Sequence, residues 1–302
     1  MGTKIEWTEA TVNTIAGCTK YSEGCQNCYA ERMHKRLTAM GQEKYKSPFE
    51  IVKGYNPLTE LSKKITKNTK MCFVNSMSDT FHDNVSDSYI DSLLQALGMY
   101  GNVNFQVLTK RAERIVSFNY PENVWLGVTV ENARHKERIE YLRQTDAKVK
   151  FLSCEPLLGD LGDLDLTGIN WVIVGGESGP DARPMHPDWV RNIQKQCEKQ
   201  NVAFFFKQWG EWKLMFEREK EEDCENPPEK DISKYCIEDK ESLYYALTMD
   251  LPKKYTRTNF AGGYGFHGAN VCYYMRTGKK KSGSKVDGVE YKQFPSGGSD
   301  EE

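Results

Sequence analysis

The chain has 302 residues, nine of them cysteine, with 41 basic side chains against 43 acidic ones. A chain of that length buries a core without staples, and an odd cysteine number forbids complete internal pairing, so a disulfide-held mini-scaffold is excluded. An aromatic content of 12% excludes a disordered chain, and a net charge of −2 does not by itself call for a polyanionic partner.

The opening residues are polar and mixed. No stretch approaches the roughly 18 consecutive apolar residues of a membrane span. The expectation is therefore no secretory signal, no membrane contact and a reducing cytoplasm, where cysteines are free, catalytic or metal-bound.

In chain order, a first strand is expected near residues 4–7. Cys18, Cys25 and Cys28 then fall within eleven residues, in a loop containing Gly and Ser. Residues 28–40 read as a helix, because Tyr29, Met33, Leu37 and Met40 recur at helical spacing between charged residues. Six short apolar runs follow, at 71–75, 105–108, 124–129, 149–153, 171–176 and 202–206. Helical stretches are expected near 86–99, 111–117, 132–144 and 187–200. This is the rhythm of βα units with buried parallel strands, seven with the first. A full or partial (β/α) TIM-type barrel fits the count, with a doubly wound open sheet as the alternative. No Gly-x-Gly-x-x-Gly follows a strand, which weakens a dinucleotide-binding reading.

Three units are expected: a barrel over 1–212, a variable insertion over 213–274, and a segment over 275–302 that returns to the barrel and ends in an acidic tail. Residues 213–241 carry eleven acidic and six basic side chains, whereas 253–285 carry eight Lys or Arg and no acid, interleaved with aromatics. Basic and aromatic residues together suit phosphates and unpaired bases. A solvated basic face opposite an acidic stretch is the plainer alternative.

The cysteine loop ends at a helix start, where unpaired N–H groups and the helix dipole favour thiolate. Three readings stay open. The thiolates hold three irons of a [4Fe–4S] cluster, or they hold zinc with a fourth ligand from elsewhere, or they are unliganded. His34 is the nearest candidate for a fourth zinc ligand, but it lies on another side of the helix. Cys72, Cys154 and Cys197 read as buried small hydrophobes. Cys224, Cys236 and Cys272 are too irregularly spaced for a strong auxiliary site.

An early three-cysteine loop, a helix and a βα succession resemble the radical S-adenosylmethionine (SAM) superfamily. More closely, the chain resembles an uncharacterised, phage-type family of radical-SAM-like proteins. The shared stretches are Trp7-Thr8, Gly17-Cys18-Thr19-Lys20, Gly24-Cys25-Gln26-Asn27-Cys28-Tyr29-Ala30-Glu31 and Asn75-Ser76-Met77-Ser78-Asp79. They continue with Leu108-Thr109-Lys110-Arg111, Gly127-Val128-Thr129-Val130-Glu131-Asn132 and Glu155-Pro156-Leu157. The last are Gly175-Gly176-Glu177-Ser178-Gly179, Phe206-Lys207-Gln208-Trp209-Gly210, Gly278-Lys279-Lys280 and Asp287-Gly288. The resemblance covers about residues 4–212 and 275–295. It departs from the usual superfamily loop, Cys-x3-Cys-x2-Cys with an aromatic before the last Cys. Here the first gap is six, and Asn27 holds the aromatic position.

The resemblance implies that Cys18, Cys25 and Cys28 hold a [4Fe–4S] cluster whose open iron chelates SAM. One electron, from a reductase or flavodoxin-type donor, would then release a 5′-deoxyadenosyl radical that abstracts a substrate hydrogen. It also places the SAM amino group near Ser76, Ser78 and Asp79, of which Ser78 or Asp79 serves equally well as a helix N-cap. Strand ends in a βα barrel gather functional groups. By that rule Glu155 and Lys110 are the candidate catalytic groups, with Lys110 and Arg111 suited to the SAM carboxylate or a phosphate. Thr129, Glu131 and Asn132 suit the ribose hydroxyls, and Asn132 serves equally well as a helix N-cap. Gly175, Gly176 and Glu177 allow close approach of a cofactor, and Arg183 and His186 could reach an anionic substrate. Trp209 either stacks on a base or packs. The expected function is modification or repair of a nucleic acid base or nucleotide. The rivals are a zinc-stabilised nucleic-acid-binding or partner-docking protein, and a radical enzyme acting on a peptide or small metabolite.

Overall fold

The computed structural model describes residues 3, 5–218, 271–276 and 278–295. Its centre is a seven-stranded, all-parallel sheet. In chain order the elements are β1 (Ala10–Val12), β2 (Ile15–Ala16), α1 (Tyr29–Ala39), β3 (Lys53–Gly54), α2 (Pro57–Ser62), β4 (Met71–Val74) and α3 (Asp87–Gly98). They continue with β5 (Asn104–Thr109), β6 (Val124–Thr129), α4 (Glu137–Arg143), β7 (Val149–Cys154), β8 (Trp171–Gly175), α5 (Pro187–Lys199) and β9 (Ala203–Gln208). The sheet order is β1-β4-β5-β6-β7-β8-β9, each strand beside the next in sequence once the small β2–β3 pair is set aside.

Every residue of β6 is buried, as a strand covered on both faces requires. One face packs against the helices: Val107, Leu126, Leu152, Val172 and Phe206 join Ile90, Leu93 and Leu97 of α3 and Val190 and Ile193 of α5. The apolar spacing along α3 creates that stripe, and Ser86 fixes its start by accepting the Tyr89 N–H. The other face carries Phe73, Trp125, Phe151, Trp171 and Phe205, joined by Trp7.

Trp7 proves the curl of the sheet. It precedes the edge strand β1, five strand spacings from β8, which would be roughly 24 Å in a flat sheet. Its ring nonetheless meets that of Trp171 edge-on at 6.2 Å. The sheet is therefore a half-barrel whose lumen is floored by aromatic rings. Gly127 belongs to this floor, since a Cβ there would lie 2.4 Å from the Phe151 ring.

The first strand lies a few residues later than the one expected near 4–7, because Trp7 plugs the lumen instead of pairing. The helices at 28–40, 86–99 and 187–200 stand within a residue or so of expectation. The stretch near 111–117 is a 3-10 helix, and 132–144 divides into a 3-10 turn and α4.

After β9, strands β10 (Trp212–Arg218) and β11 (Val271–Arg276) pair antiparallel. The expected acidic and basic-aromatic insertion lies mostly outside the described residues. Beyond it, a helical turn at Lys279–Ser282 leads to the β12 (Lys285–Val286) and β13 (Val289–Glu290) hairpin. The chain then crosses the open seam. Lys292 donates to the Phe206 carbonyl of β9 at 2.9 Å and pairs with Glu6 at 2.8 Å. Phe294 packs on Trp171 and Phe205, and Gln293 accepts the Trp171 indole N–H at 2.8 Å. Among the described residues, no helix is long and apolar enough to cross a membrane.

Candidate functional site

Strand order places the loops after β4 to β9 at one end of the half-barrel, the end where parallel sheets gather functional groups. The cysteine loop, residues 17–28, lies against several of these loops. Gly17 has φ +88°, and a Cβ there would meet the Ile51 carbonyl oxygen at 2.2 Å, so only glycine passes. The Cys18 N–H donates to Phe49 O at 2.7 Å, which fixes the loop's entry. Cys28 is the N-cap residue of α1 and fixes its exit.

Cys18, Cys25 and Cys28 are free and half-buried. Burial pushes the Cys18 thiol up to about 12; the Asp79 carboxylate adds to this, Arg111 opposes it, and Cys25 and Cys28 contribute further. Among the described residues, no three His, Cys, Asp or Glu side chains form a group that could hold a single metal ion. In a cluster each thiolate binds its own iron, so its ligands need not meet at one point. The donor set of three thiols, on one loop that ends at a helix start, fits a cluster by its chemistry. The expected outsider His34 is buried and engaged elsewhere, with Nε2 against Ser47 O at 2.8 Å and its ring edge-on to Tyr45 and Phe49. Cys72, Cys154 and Cys197 are buried in the apolar core, as small hydrophobes would be.

Asp79 is buried, and both its oxygens are engaged by the chain. Oδ1 accepts the Thr109 hydroxyl at 2.7 Å and the Phe81 N–H at 2.9 Å. Oδ2 accepts the Lys110 N–H at 3.3 Å and Arg111 Nη1 at 3.1 Å. Arg111 also donates from Nη2 to Thr19 Oγ1 at 3.0 Å. His82 reaches the same hydroxyl at 2.8 Å, and because its Nδ1 accepts the Asn84 N–H, Nε2 carries the proton and donates. Ser76 donates to Asn13 and Ser78 to Ile15 O, so both serve the turn after β4.

Glu131 is fully buried, yet its carboxyl is held below the usual range. Desolvation opposes ionisation, but Lys110, Arg138 and the Ser22 hydroxyl together outweigh it. Arg138 Nη1 lies 2.7 Å from Oε2, Lys110 Nζ lies 3.8 Å from Oε1, and Ser22 donates to Oε1. A Cβ at Gly24 would meet that same Oε1 at 2.6 Å. Asn132 accepts the Arg134 N–H and so caps the following turn. Thr129 is buried at the end of β6, on the lumen side by its alternation with Trp125 and Gly127.

Glu177 accepts three bonds from Arg183: Nη2 at 2.6 Å, Nε at 2.8 Å and the backbone N–H at 2.9 Å. Asn27 Nδ2 donates to Glu177 Oε2 at 3.2 Å. Arg183 is thus joined to Glu177 and the cysteine loop, while His186 caps α5 through the Asp188 N–H. The glycines beside Glu177 are explained by the chain itself. A Cβ at Gly176 would lie 2.1 Å from Trp209 O, and one at Gly175 would lie 2.6 Å from Glu155 Oε1. Trp209 packs on Phe206 at 4.8 Å and donates its indole N–H to Lys285 O, which answers the packing side of its two expected roles.

Glu155 stands over Gly175 in a cis Glu155–Pro156 peptide and pairs with Lys207 at 2.8 Å. Alternation along β7 and β9 points Ser153 and Lys207 into the lumen above the aromatic floor, and the buried Ser153 hydroxyl has no hydrogen-bond partner among the described residues. Lys279 is exposed to solvent, yet partial desolvation of its ammonium first, and then the nearby Lys207, hold it below the usual lysine range.

Apart from Ser76, Ser78 and Asn132, which serve local turns and caps, the polar residues at this end divide in two. Asp79, Glu131 and Glu177 grip the cysteine loop, whereas Thr129, Ser153, Glu155 and Lys207 face the lumen. Sequence reasoning did not single out Ser22, His82 or Arg138, and it gave Thr19 and Gly24 no role. An arginine four residues before Leu142, on the apolar stripe of a short helix, was the available signal for Arg138.

The family described as "Protein of unknown function (DUF5131)" matches residues 2–295. Among curated proteins, none matches the sequence. Two solved structures are similar to the chain in part. One is spore photoproduct lyase complexed with dinucleoside spore photoproduct, at 13% identity and TM-score 0.38, covering 66% of this chain and 63% of that one. The other is a mutant of spore photoproduct lyase, also at 13% identity and TM-score 0.38, covering 72% of this chain and 68% of that one. The chain therefore spans less than two thirds of the first of these lyase chains.

Proposed function

The chain belongs to the family described as "Protein of unknown function (DUF5131)", and from its cysteine loop we propose that it is a radical SAM enzyme modifying or repairing a nucleic acid base or nucleotide. The observation that carries this reading is the position of Cys18, Cys25 and Cys28, three free thiols at the functional end of a parallel half-barrel. A [4Fe–4S] cluster held there would, with SAM and one electron from a flavodoxin-type or reductase donor, supply the one-electron cleavage that yields a 5′-deoxyadenosyl radical.

The chain's own residues give the rest. The aromatic floor of Trp7, Trp125, Phe151 and Trp171 closes the lumen from below and excludes water from that side. Above it, Glu155 offers an acceptor for a ligand O–H or N–H, Lys207 offers a donor, and the Ser153 hydroxyl, without a partner among the described residues, can do either. Lys110, half-buried beside Glu131, presents a cation suited to a carboxylate or phosphate. The substrate class rests on Lys279, Lys280 and Lys281 at the rim, joined to the mouth through the Gly278 N–H bond to Glu211 O.

The test is anaerobic reconstitution of the full chain with iron and sulfide, followed by EPR after dithionite and SAM. The expected result is a cluster signal altered by SAM, release of 5′-deoxyadenosine, and loss of both in Cys18→Ala, Cys25→Ala and Cys28→Ala. Tightly bound zinc with no SAM cleavage would overturn the reading. The substrate class is tested by DNA and RNA binding across salt. Lys279→Gln and Lys280→Gln are expected to flatten the salt slope by about one unit each.

A further inference from the structure

Three buried acid–arginine pairs surround the cysteine loop, and their positions follow a rule. Asp79, Glu131 and Glu177 come from the loops after β4, β6 and β8, which are alternate strands of the sheet. Alternate strands stand roughly 10 Å apart, so the three carboxylates are spread along the mouth. Each pair also meets a residue directly beside one cysteine. Arg111, held by Asp79, donates to Thr19, the residue after Cys18. Glu131, held by Arg138, lies against Gly24, the residue before Cys25, and accepts the Ser22 hydroxyl. Glu177, held by Arg183, accepts from Asn27, the residue before Cys28.

From this geometry we infer that the three pairs form a tripod that sets the spacing of the three thiols before any metal arrives. Each foot fixes one cysteine's backbone. Glu131 and Arg138 are almost wholly buried, and the Asp79 oxygens are fully engaged, so these feet do not re-orient with solvent. Arg183 braces two points of the loop at once, Gln26 Oε1 at 3.4 Å and Glu23 O at 3.1 Å. Asp79, Glu131 and Glu177 are then positioning residues for the thiols. The inference rests on the cluster reading for its purpose, but the ordering of the loop can be measured without metal.

The test uses loop-side variants that leave the buried pairs intact: Thr19→Val, Ser22→Ala and Asn27→Ala. Amide hydrogen exchange of the metal-free full chain is read over residues 17–28 and over the sheet. Each variant is expected to speed exchange at least about five-fold around its own cysteine, since Ser22→Ala loses one hydrogen bond and Thr19→Val and Asn27→Ala lose two each, with the strands unchanged. Thr19→Ser and Ser22→Thr, which keep the hydroxyl, are expected to restore protection. After anaerobic reconstitution, the three disruptive variants are expected to retain at least about two-fold less iron per chain, with an altered EPR line shape. Unchanged exchange in all three, or faster exchange spread over the whole sheet, overturns the tripod. So does wild-type iron content with an unchanged EPR spectrum. If the wild-type chain takes up no cluster, the proposed function fails, and the exchange measurement still decides the tripod.

Discussion

Replacing Arg138 with Met tests the physics of the site from the sheet side. Arg138 Nη1 lies 2.7 Å from Glu131 Oε2 and also 2.7 Å from the Thr129 carbonyl, in a region closed to solvent. Methionine fills similar volume but leaves Glu131 as a buried carboxylate facing only Ser22 and Lys110, the latter 3.8 Å away. Stranding a buried charge costs about 3–5 kcal/mol, and the remaining Lys110 puts this case near the lower end. At about 2–4 °C per kcal/mol for a domain of this size, the Tm should fall by roughly 6–12 °C. Removing both charges in Arg138→Met/Glu131→Leu should recover most of that loss, because the desolvation cost goes with the pair. The sign with pH follows. In the wild type the depressed Glu131 carboxyl stabilises the fold above its unfolded pKa, and that contribution is lost as pH falls. In the variant desolvation dominates and raises the folded pKa, so the penalty is present at high pH and is relieved by protonation. The Tm gap should therefore narrow from about pH 8 to about pH 5. A gap that stays constant over that range, or a double variant no more stable than the single one, would refute the reasoning.

Phe294→Ala uncovers Trp171 and Phe205 at the seam; a loss of about 2 kcal/mol is expected by urea unfolding, smaller than for a fully buried ring. Gly176→Ala drives a Cβ to 2.1 Å from the Trp209 carbonyl, so the β8–β9 ends must part, and a loss of about 3 kcal/mol or failure to accumulate soluble protein is expected. Burial raises the Cys72 and Cys197 thiols to about 12, so their contribution to stability is complete below the unfolded thiol pKa and is lost as pH rises from there toward about 12. Thermal unfolding should weaken across that alkaline window in the wild type and less so in Cys197→Ala, whose slope would match the wild type if the thiol were not responsible.

The elements were legible because their signals are local. Strand burial on both faces, the apolar stripe of α3 and the helix start at Cys28 depend on neighbours a few residues away, and the seven-strand rhythm followed from them. The cysteines as a loop before a helix were equally legible, since Cys18, Cys25 and Cys28 are close in sequence.

What the neighbours of those cysteines do was set only by the tertiary structure. Asn27 and Glu177 are 150 residues apart, and Ser22 and Glu131 are 109 apart. In the sequence Asp79 read equally well as a ligand group or a helix cap, and Glu131 and Glu177 read as ligand groups. The folded chain engages each of them with an arginine and the loop. Trp7 showed the same limit: a first strand was expected at its position, but the curl of the sheet made it a plug against Trp171. Periodicity reports which face of an element is buried. Which charges meet across the mouth depends on sheet curvature and on where each loop ends, and these are properties of all seven strands together.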